Sequence, residues 1–307
     1  VKIRTLLFGA GQGARQYIEN NSSSREFVGF LDNDESKHET SFEGLPIYAP
    51  FMLGELIYDQ IVITTQWALD VQKQLINDFG VDVNKVVLPE KKQLKKPTPF
   101  LNPVSLDLAR HIVKAINTLA IERELPLATD FGTLLGIVRD DDIIPWDDDI
   151  DFSVPVERAE AAEAVCQRFV EEQPRTLFWR LEKLKNNAGK SAGLLIKFTD
   201  PNGEVSEFTT SVCFRENVDG NALHMPSLGM WYAPVEYFDQ TEVFLWKGTQ
   251  IQVPKNYLSY LSFVYGDWKV PKKDIQLSDY AHTREVSFED VKSAAMSCEL
   301  LEQSNAR

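Results

Sequence analysis

The sequence predicts two domains of different class, a small α/β domain with a parallel sheet over residues 1–95 and an α+β domain over residues 96–307. Three observations predict this division. Near the start, short apolar runs alternate with helical spacing, and the first run ends in a glycine-rich turn, as in βαβ units. Between residues 90 and 103, Lys91, Lys92, Lys95 and Lys96 are followed by Pro97, Pro99 and Pro103, which suits a stiff, solvated linker. Beyond it, an amphipathic helix gives way to strand-like segments with turns at Asn202-Gly203 and Lys247-Gly248, the pattern of antiparallel hairpins.

In the first domain, Ile3 to Phe8 is an apolar run closed by Gly9, and Phe27 to Leu31 is another closed by Asp32, with a helix from Ala14 to Glu19 between them. Gln60 to Thr64 and Lys85 to Leu88 read as short buried strands around a helix from Ala68 to Asp78. In the second domain Asn102-Pro103 is a helix start, and Val104, Leu108, Ile112, Ala115, Ile116 and Leu119 recur at helical spacing until Pro126 stops them. A short apolar piece at Leu127 to Thr129, a turn at Gly132, a helix from Thr133 to Val138 and a strand from Ile150 to Val154 follow. Leu194 to Phe198, Glu207 to Phe214, Glu242 to Trp246 and Gln250 to Val253 have strand patterning. Ser287, with Asp290 three residues on, predicts a tail helix through Val291 and Ala294 to Leu301.

Composition removes several function classes. With 43% hydrophobic and 25% charged residues, both domains can bury ordinary cores. No apolar stretch approaches the roughly 20 residues that cross a bilayer, and Val1 to Phe8 leads straight into a strand without the pattern of a signal peptide. The expectation is a cytoplasmic protein without a transmembrane segment, any membrane association being peripheral to the inner face. A net charge of −14 argues against a general nucleic-acid partner, whose phosphates are held by Lys and Arg. Cys166, Cys213 and Cys298 show no metal-binding spacing and read as reduced core thiols, and His38, His111, His224 and His282 are scattered singly.

The acidity is local. Seven aspartates fall between Asp140 and Asp151, of which Asp140, Asp141 and Asp142 read as a solvated loop. Asp149 and Asp151, two residues apart on a predicted strand, project from one face while Ile150 and Phe152 point into the core. Two such charges ~4 Å apart repel by roughly 4 kcal/mol at an effective dielectric of about 20, so they call for a cation, an arginine or a shared proton. Mg²⁺ or Mn²⁺ suits ligation by oxygen alone. Upstream, Gly132-Thr133 enters a helix, where unpaired N–H groups and a hydroxyl would face a phosphate, and Arg139 closes that helix as a charge partner. Trp146 either stacks on a base or sugar or fills the core.

A Gly-Thr turn, a helix, then Asp-x-Asp on a strand resembles the polymerase-beta type of nucleotidyltransferase fold. The run Asp130-Phe-Gly-Thr-Leu-Leu-Gly-Ile-Val-Arg139 followed by Ile144-Pro-Trp-Asp-Asp-Asp-Ile-Asp151 narrows the resemblance to the LicD/fukutin family. A second block, Val253-Pro-Lys-Asn256 through Tyr260-Leu261 to Tyr265-Gly-Asp267, is similar to that family's closing segment. The resemblance implies transfer of phosphocholine, ribitol phosphate or a similar group from a CDP-linked donor to a sugar hydroxyl of a glycan or lipid-linked glycan acceptor. It implies Asp149 and Asp151 as metal ligands, Gly132 and Thr133 as a phosphate cradle, and Arg139 as a partner of donor phosphate. Asp130 becomes a candidate base or acceptor-binding group, and Asp147 and Asp148 further ligands or their supports. The superfamily's third carboxylate has Glu207 as its nearest candidate here, with Asp200 behind it.

Gly9-Ala-Gly-Gln-Gly-Ala14 follows a strand, opens a helix, and is answered by Asp32 at the end of the next strand. Gly9, Gly11, Gly13 and Asp32 thus form a nucleotide-type loop, in a domain that resembles small Rossmann-like modules attached to sugar-modifying enzymes. Two other functions compete with the transferase: an NAD(P)-dependent oxidoreductase working through this loop, and a non-catalytic nucleotide- or glycan-binding protein.

Overall fold

The computed structural model describes residues 2–90, 93–94, 98–186, 189–272, 280, 282–284, 286 and 296–304. These fall into two compact units, one within Val1–Pro97, the other taking in Thr98–Lys273 and the described residues beyond.

The first unit is a six-stranded sheet. Its elements run β1 (Ile3–Phe8), α1 (Gln12–Asn21), β2 (Arg25–Leu31), β3 (Ser41–Phe42), β4 (Leu45–Tyr48), β5 (Gln60–Ile63), α2 (Ala68–Asn77) and β6 (Val86–Val87). The strand order is β3-β4-β2-β1-β5-β6, parallel except for the β3–β4 pair. Alternation along the strands divides the core. Leu7, Phe30 and Val62 pack with Ala14 and Tyr17 of α1, while Leu6, Leu31, Ile61 and Ile63 pack with Val71 and Leu75 of α2. Strands buried on both faces explain the nearly continuous apolar runs of the sequence. β3 and β4, of 2 and 4 residues, are too short to carry a strand pattern in the sequence; Gly44, at φ 74, makes the tight turn that joins them.

The second unit begins with α3 (Pro103–Glu122), whose N-cap Asn102 accepts the Val104 N–H through its side chain. There follow β7 (Ala128–Thr129), α4 (Phe131–Asp140), β8 (Asp149–Pro155), α5 (Ala159–Glu172), β9 (Phe178–Lys185), β10 (Ser191–Thr199), β11 (Thr209–Val218), β12 (Asn221–His224) and β13 (Tyr232–Pro234). A separate hairpin, β14 (Thr241–Trp246) and β15 (Thr249–Pro254), precedes α6 (Tyr257–Tyr265) and β16 (Ser297–Gln303). The main sheet has the order β13-β12-β11-β10-β9-β16, with β8 pairing β11 in parallel and β7 antiparallel. It is therefore mixed, with the parallel β8–β11 pair at the acidic strand. The β14–β15 turn has Lys247 at φ 44 and Gly248 at φ 77, as a two-residue hairpin requires.

Three expectations need correction. Residues 287–295 of the predicted tail helix lie outside the described residues, but Ser297–Gln303 is a strand laid antiparallel on β9, so Leu301 does not end a helix. Cys298 on that strand is exposed and not a core thiol, unlike Cys166 and Cys213. Glu207 precedes β11 and is exposed. Among the described residues no helix is long and apolar enough to cross a membrane.

Candidate functional site

The site begins with the way α4 meets β8. Asp130 N-caps α4, its Oδ1 accepting the Phe131 N–H at 2.7 Å, and its own N–H donates to the Asp151 carbonyl at 3.0 Å. The Asp151 N–H donates in turn to Thr133 Oγ1 at 3.0 Å. The peptide groups flanking Asp151 are thus held from both sides by the first residues of α4. Ile150 and Phe152 are fully buried, so Asp149 and Asp151 share the opposite, half-buried face of β8.

Asp147, Asp148 and Asp149 bring carboxylate oxygens within 4.8 Å of one another, the grouping among the described residues suited to a cation. Burial pushes the Asp151 carboxyl well above the usual range, and the charges of Asp149, Asp147, Asp130 and Asp148 push it further. A cluster in which one acid resists ionisation is a place where a cation is electrostatically favoured, and its donor set, all carboxylate oxygen, fits Mg²⁺ or Mn²⁺.

Gly132 stands against this cluster. A Cβ added to it would lie 2.1 Å from Asp147 Oδ2, so the bare α-carbon is what admits the carboxylate to the start of α4. Gly136 is constrained likewise, since a Cβ there would meet the Asp142 carbonyl at 2.6 Å and Ile144 at 2.8 Å, where the chain folds back towards β8. That returning loop is pinned by cations: Arg110 grips both oxygens of Asp142, and Lys247 reaches Asp141 Oδ2 at 3.4 Å. Asp140 and Asp141 are exposed, as a surface loop requires, and Asp140, Asp141 and Asp142 are each also ion-paired.

Two of the residues singled out by the sequence are engaged within the protein. Asp130 is fully buried, its carboxylate accepting from Ser153 Oγ at 2.5 Å, Arg215 Nη2 at 2.6 Å and Tyr260 OH at 2.5 Å besides Phe131 N–H. Burial alone would raise its carboxyl, but the Arg215 guanidinium and the hydroxyls of Ser153 and Tyr260 hold it below the usual carboxylate range. A saturated, weakly basic carboxylate sealed from solvent is unsuited to take a proton from an acceptor. Arg139 pairs with the adjacent Asp140 through both oxygens at the far end of α4 from Gly132, so its charge is engaged away from the acids. Trp146 is half-buried and packs against the main core.

Glu207 does not join the acid grouping. The parallel register of β8 and β11 sets Thr209 beside Asp149 and Ser211 beside Asp151, so hydroxyls occupy the neighbouring-strand positions. The same register reveals what the sequence reading missed: Arg215, four residues along β11 from Ser211, is buried and anchors Asp130. An arginine in phase with a face carrying two acids was the available signal. Arg215 also lies 4.1 Å from the Phe238 ring centroid and 5.2 Å from that of Phe131, a bulky residue at the strained φ of 46°.

In the first unit, Gly9 at φ 103 makes the turn after β1, and a Cβ on Gly13 would lie 2.6 Å from the Thr64 carbonyl, so this glycine admits close packing on β5. Nothing lies within 4 Å of a Cβ built on Gly11. Asp32 is committed within the loop, with Oδ2 accepting from Ala10 N–H and Lys37 Nζ, both at 2.9 Å, and Oδ1 from Asp34 N–H at 3.0 Å. The carboxylate that would read a ribose is thereby occupied by protein donors.

Residues 125–256 match the family model described as LicD/FKTN/FKRP, nucleotidyltransferase domain, and residues 1–87 match the model C2185-like, N-terminal. Comparison with curated proteins finds no match. Among solved structures, the chain is similar to UDP-D-quinovosamine 4-dehydrogenase from Vibrio fischeri, at 27% identity and TM-score 0.25, over 31% of this chain and 84% of that one. It is similar to ANT(2")-Ia in complex with adenylyl-2"-tobramycin, at 19% identity and TM-score 0.30, over 51% of this chain and 77% of that one. A third likeness is to an oxidoreductase from Agrobacterium radiobacter in complex with NAD+, L-tartaric acid and magnesium, at 11% identity and TM-score 0.23, over 83% and 81% of the two chains. At such TM-scores these likenesses carry no argument, whereas the family model covers the helix, the acidic strand and the partner strand just described. Residues 125–256, within the second unit, are thus similar to the nucleotidyltransferase domain of the LicD/FKTN/FKRP family.

Proposed function

We propose that the second unit adopts the polymerase-beta type of nucleotidyltransferase arrangement and transfers a phospho-alcohol group, such as phosphocholine or ribitol phosphate, from a CDP-linked donor to a sugar hydroxyl. The acceptor is a surface glycan or its lipid-linked precursor, and the reaction depends on Mg²⁺ or Mn²⁺. The observation that carries this reading is the gathering of Asp147, Asp148, Asp149 and Asp151 beside the Gly132-Thr133 start of α4. The family match supports the transferase class.

In this reading Asp149 and Asp151 hold the cation, with Asp147 and Asp148 as the nearest further donors. A bound divalent ion supplies charge neutralisation on the donor phosphates. The opening turn of α4 receives a phosphate oxygen. The acceptor oxygen forms a bond to the phosphorus carrying the transferred group, the bond from that phosphorus to CMP breaks, and the hydroxyl proton passes to a carboxylate of the cluster or to solvent. Asp130 has no part in that proton transfer.

The test is a screen of CDP-choline, CDP-ribitol and CDP-glycerol for CMP release, with and without Mn²⁺ and candidate glycans. Release that requires the metal and disappears in Asp149→Asn supports the reading; release unchanged by chelation ends it. Metal-independent stabilisation by NAD would favour the oxidoreductase alternative, against which the internal pairing of Asp32 already weighs.

A further inference from the structure

Asp130 is a fully buried carboxylate four residues or fewer from both Gly132 and Thr133, yet its partners come from elsewhere. Arg215 lies on β11, Tyr260 on α6 and Ser153 on β8. Arg215 donates Nη2 to Asp130, Nε to Ser153 Oγ at 2.9 Å and Nη1 to the Ala222 carbonyl at 3.3 Å, so its guanidinium is fixed in direction as well as charge. Tyr260 OH donates to the other Asp130 oxygen, the one that caps Phe131. Asp130 then reaches Asp151 through its main-chain N–H. A chain of contacts therefore runs from Arg215 and Tyr260, through Asp130, to the peptide carrying an acid of the site.

Resting on the function proposed above, we infer that Arg215 and Tyr260 are positioning residues: acting through Asp130, they fix the start of α4 against β8 and thereby set the direction of the Asp149 and Asp151 carboxylates. Their side-chain hydrogen bonds run to Asp130, Ser153 and Ala222. Removing the Arg215 charge would leave the buried Asp130 carboxylate unpaired and cost stability in any case, so the positioning role is read from a variant that keeps the charge and loses the fork geometry. Through Tyr260, α6 is tied to the acidic strand.

The test uses the full chain and Mn²⁺ alone as probe. Mn²⁺ affinity is measured by calorimetry for Tyr260→Phe and Arg215→Lys, at a temperature where circular dichroism shows each folded. Val170→Ala, which removes buried side-chain volume from α5, controls for loss of stability alone. Both site variants are expected to lose roughly tenfold or more in Mn²⁺ affinity, as supports of ligating carboxylates do, with Val170→Ala unchanged despite a lower melting temperature. Tyr260→Phe keeps the ring and its packing, so it remains informative if Arg215→Lys does not fold. Folded variants that bind Mn²⁺ within about twofold of the parent, or a control that loses affinity equally, would overturn the positioning role. A parent chain that takes up no Mn²⁺ would instead remove the cation site itself, and the positioning role with it.

Discussion

The hydroxyl of Thr133 accepts the peptide N–H of Asp151 at 3.0 Å, stitching the first turn of α4 to the acidic strand. Thr133 is buried, so Thr133→Val would leave that N–H without its acceptor inside the protein. A loss of about 1–3 kcal/mol is expected, read by urea unfolding, with Thr133→Ser retaining most of the stability.

Asp151→Asn should act in opposite directions on stability and function. The carboxyl of Asp151 is pushed up by burial and by Asp149, Asp147, Asp130 and Asp148. A carboxyl raised in the folded state costs stability as pH rises above its unfolded value, and a neutral amide removes that cost. The metal-free variant should melt higher than the parent at neutral pH, lose Mn²⁺-dependent stabilisation, and show no transfer. Asp149→Asn should also abolish transfer with the fold intact, and near-normal turnover in either variant would remove the mechanism.

Gly132→Ala is expected to spare the fold and damage the site. Alanine favours helix at this position, but its methyl would fall 2.1 Å from Asp147 Oδ2 and drive that carboxylate aside. Thermal melting should stay within a few degrees of the parent while Mn²⁺ affinity and CMP release both drop. An unchanged affinity would mean that Asp147 contributes nothing where it stands.

Acid sensitivity should carry the mark of His224. Burial, followed by the nearby Arg215 charge, lowers its imidazole from 6.5 to about 3, and among the described residues its Nδ1 has no hydrogen-bond partner. With a folded value below the unfolded one, the stability held by the neutral ring is complete above pH 6.5 and declines as pH falls from 6.5 towards 3. The limiting slope is about 1.4 kcal/mol per pH unit for one proton. His224→Gln should flatten the unfolding free energy across that window. Asp130 adds a second loss at lower pH, below the ordinary carboxylate range.

What was legible in the sequence was local. The apolar runs of β1, β2 and β5, the N-cap and proline of α3, and the alternation of Asp149, Ile150, Asp151 and Phe152 each carry their signal within a few residues. α5 went unread although Ala162, Val165, Cys166, Phe169 and Val170 mark one buried face at helical spacing. β16 was not readable in the same way, because Ser297–Gln303 becomes a strand by pairing with β9, a partner that no local pattern discloses. The site divides likewise. Its acids lie in one short run, while Arg215 and Tyr260 enter only through strand register and helix packing 85 and 130 residues from Asp130. Glu207 was chosen by nearness in the chain; the register shows that the positions beside the acids belong to Thr209 and Ser211.

The knot at Asp130 has a kinetic consequence. Arg215 and Tyr260, 85 and 130 residues from Asp130, can donate to it only after large loops close, and such contacts are made late. The nascent chain can build the turn and the acidic strand early, but it cannot lock them together until α6 has been synthesised and docked. Maturation of the site should therefore lag behind collapse of the surrounding sheet, visible in refolding as protection of the Asp151 amide that appears after that of β10.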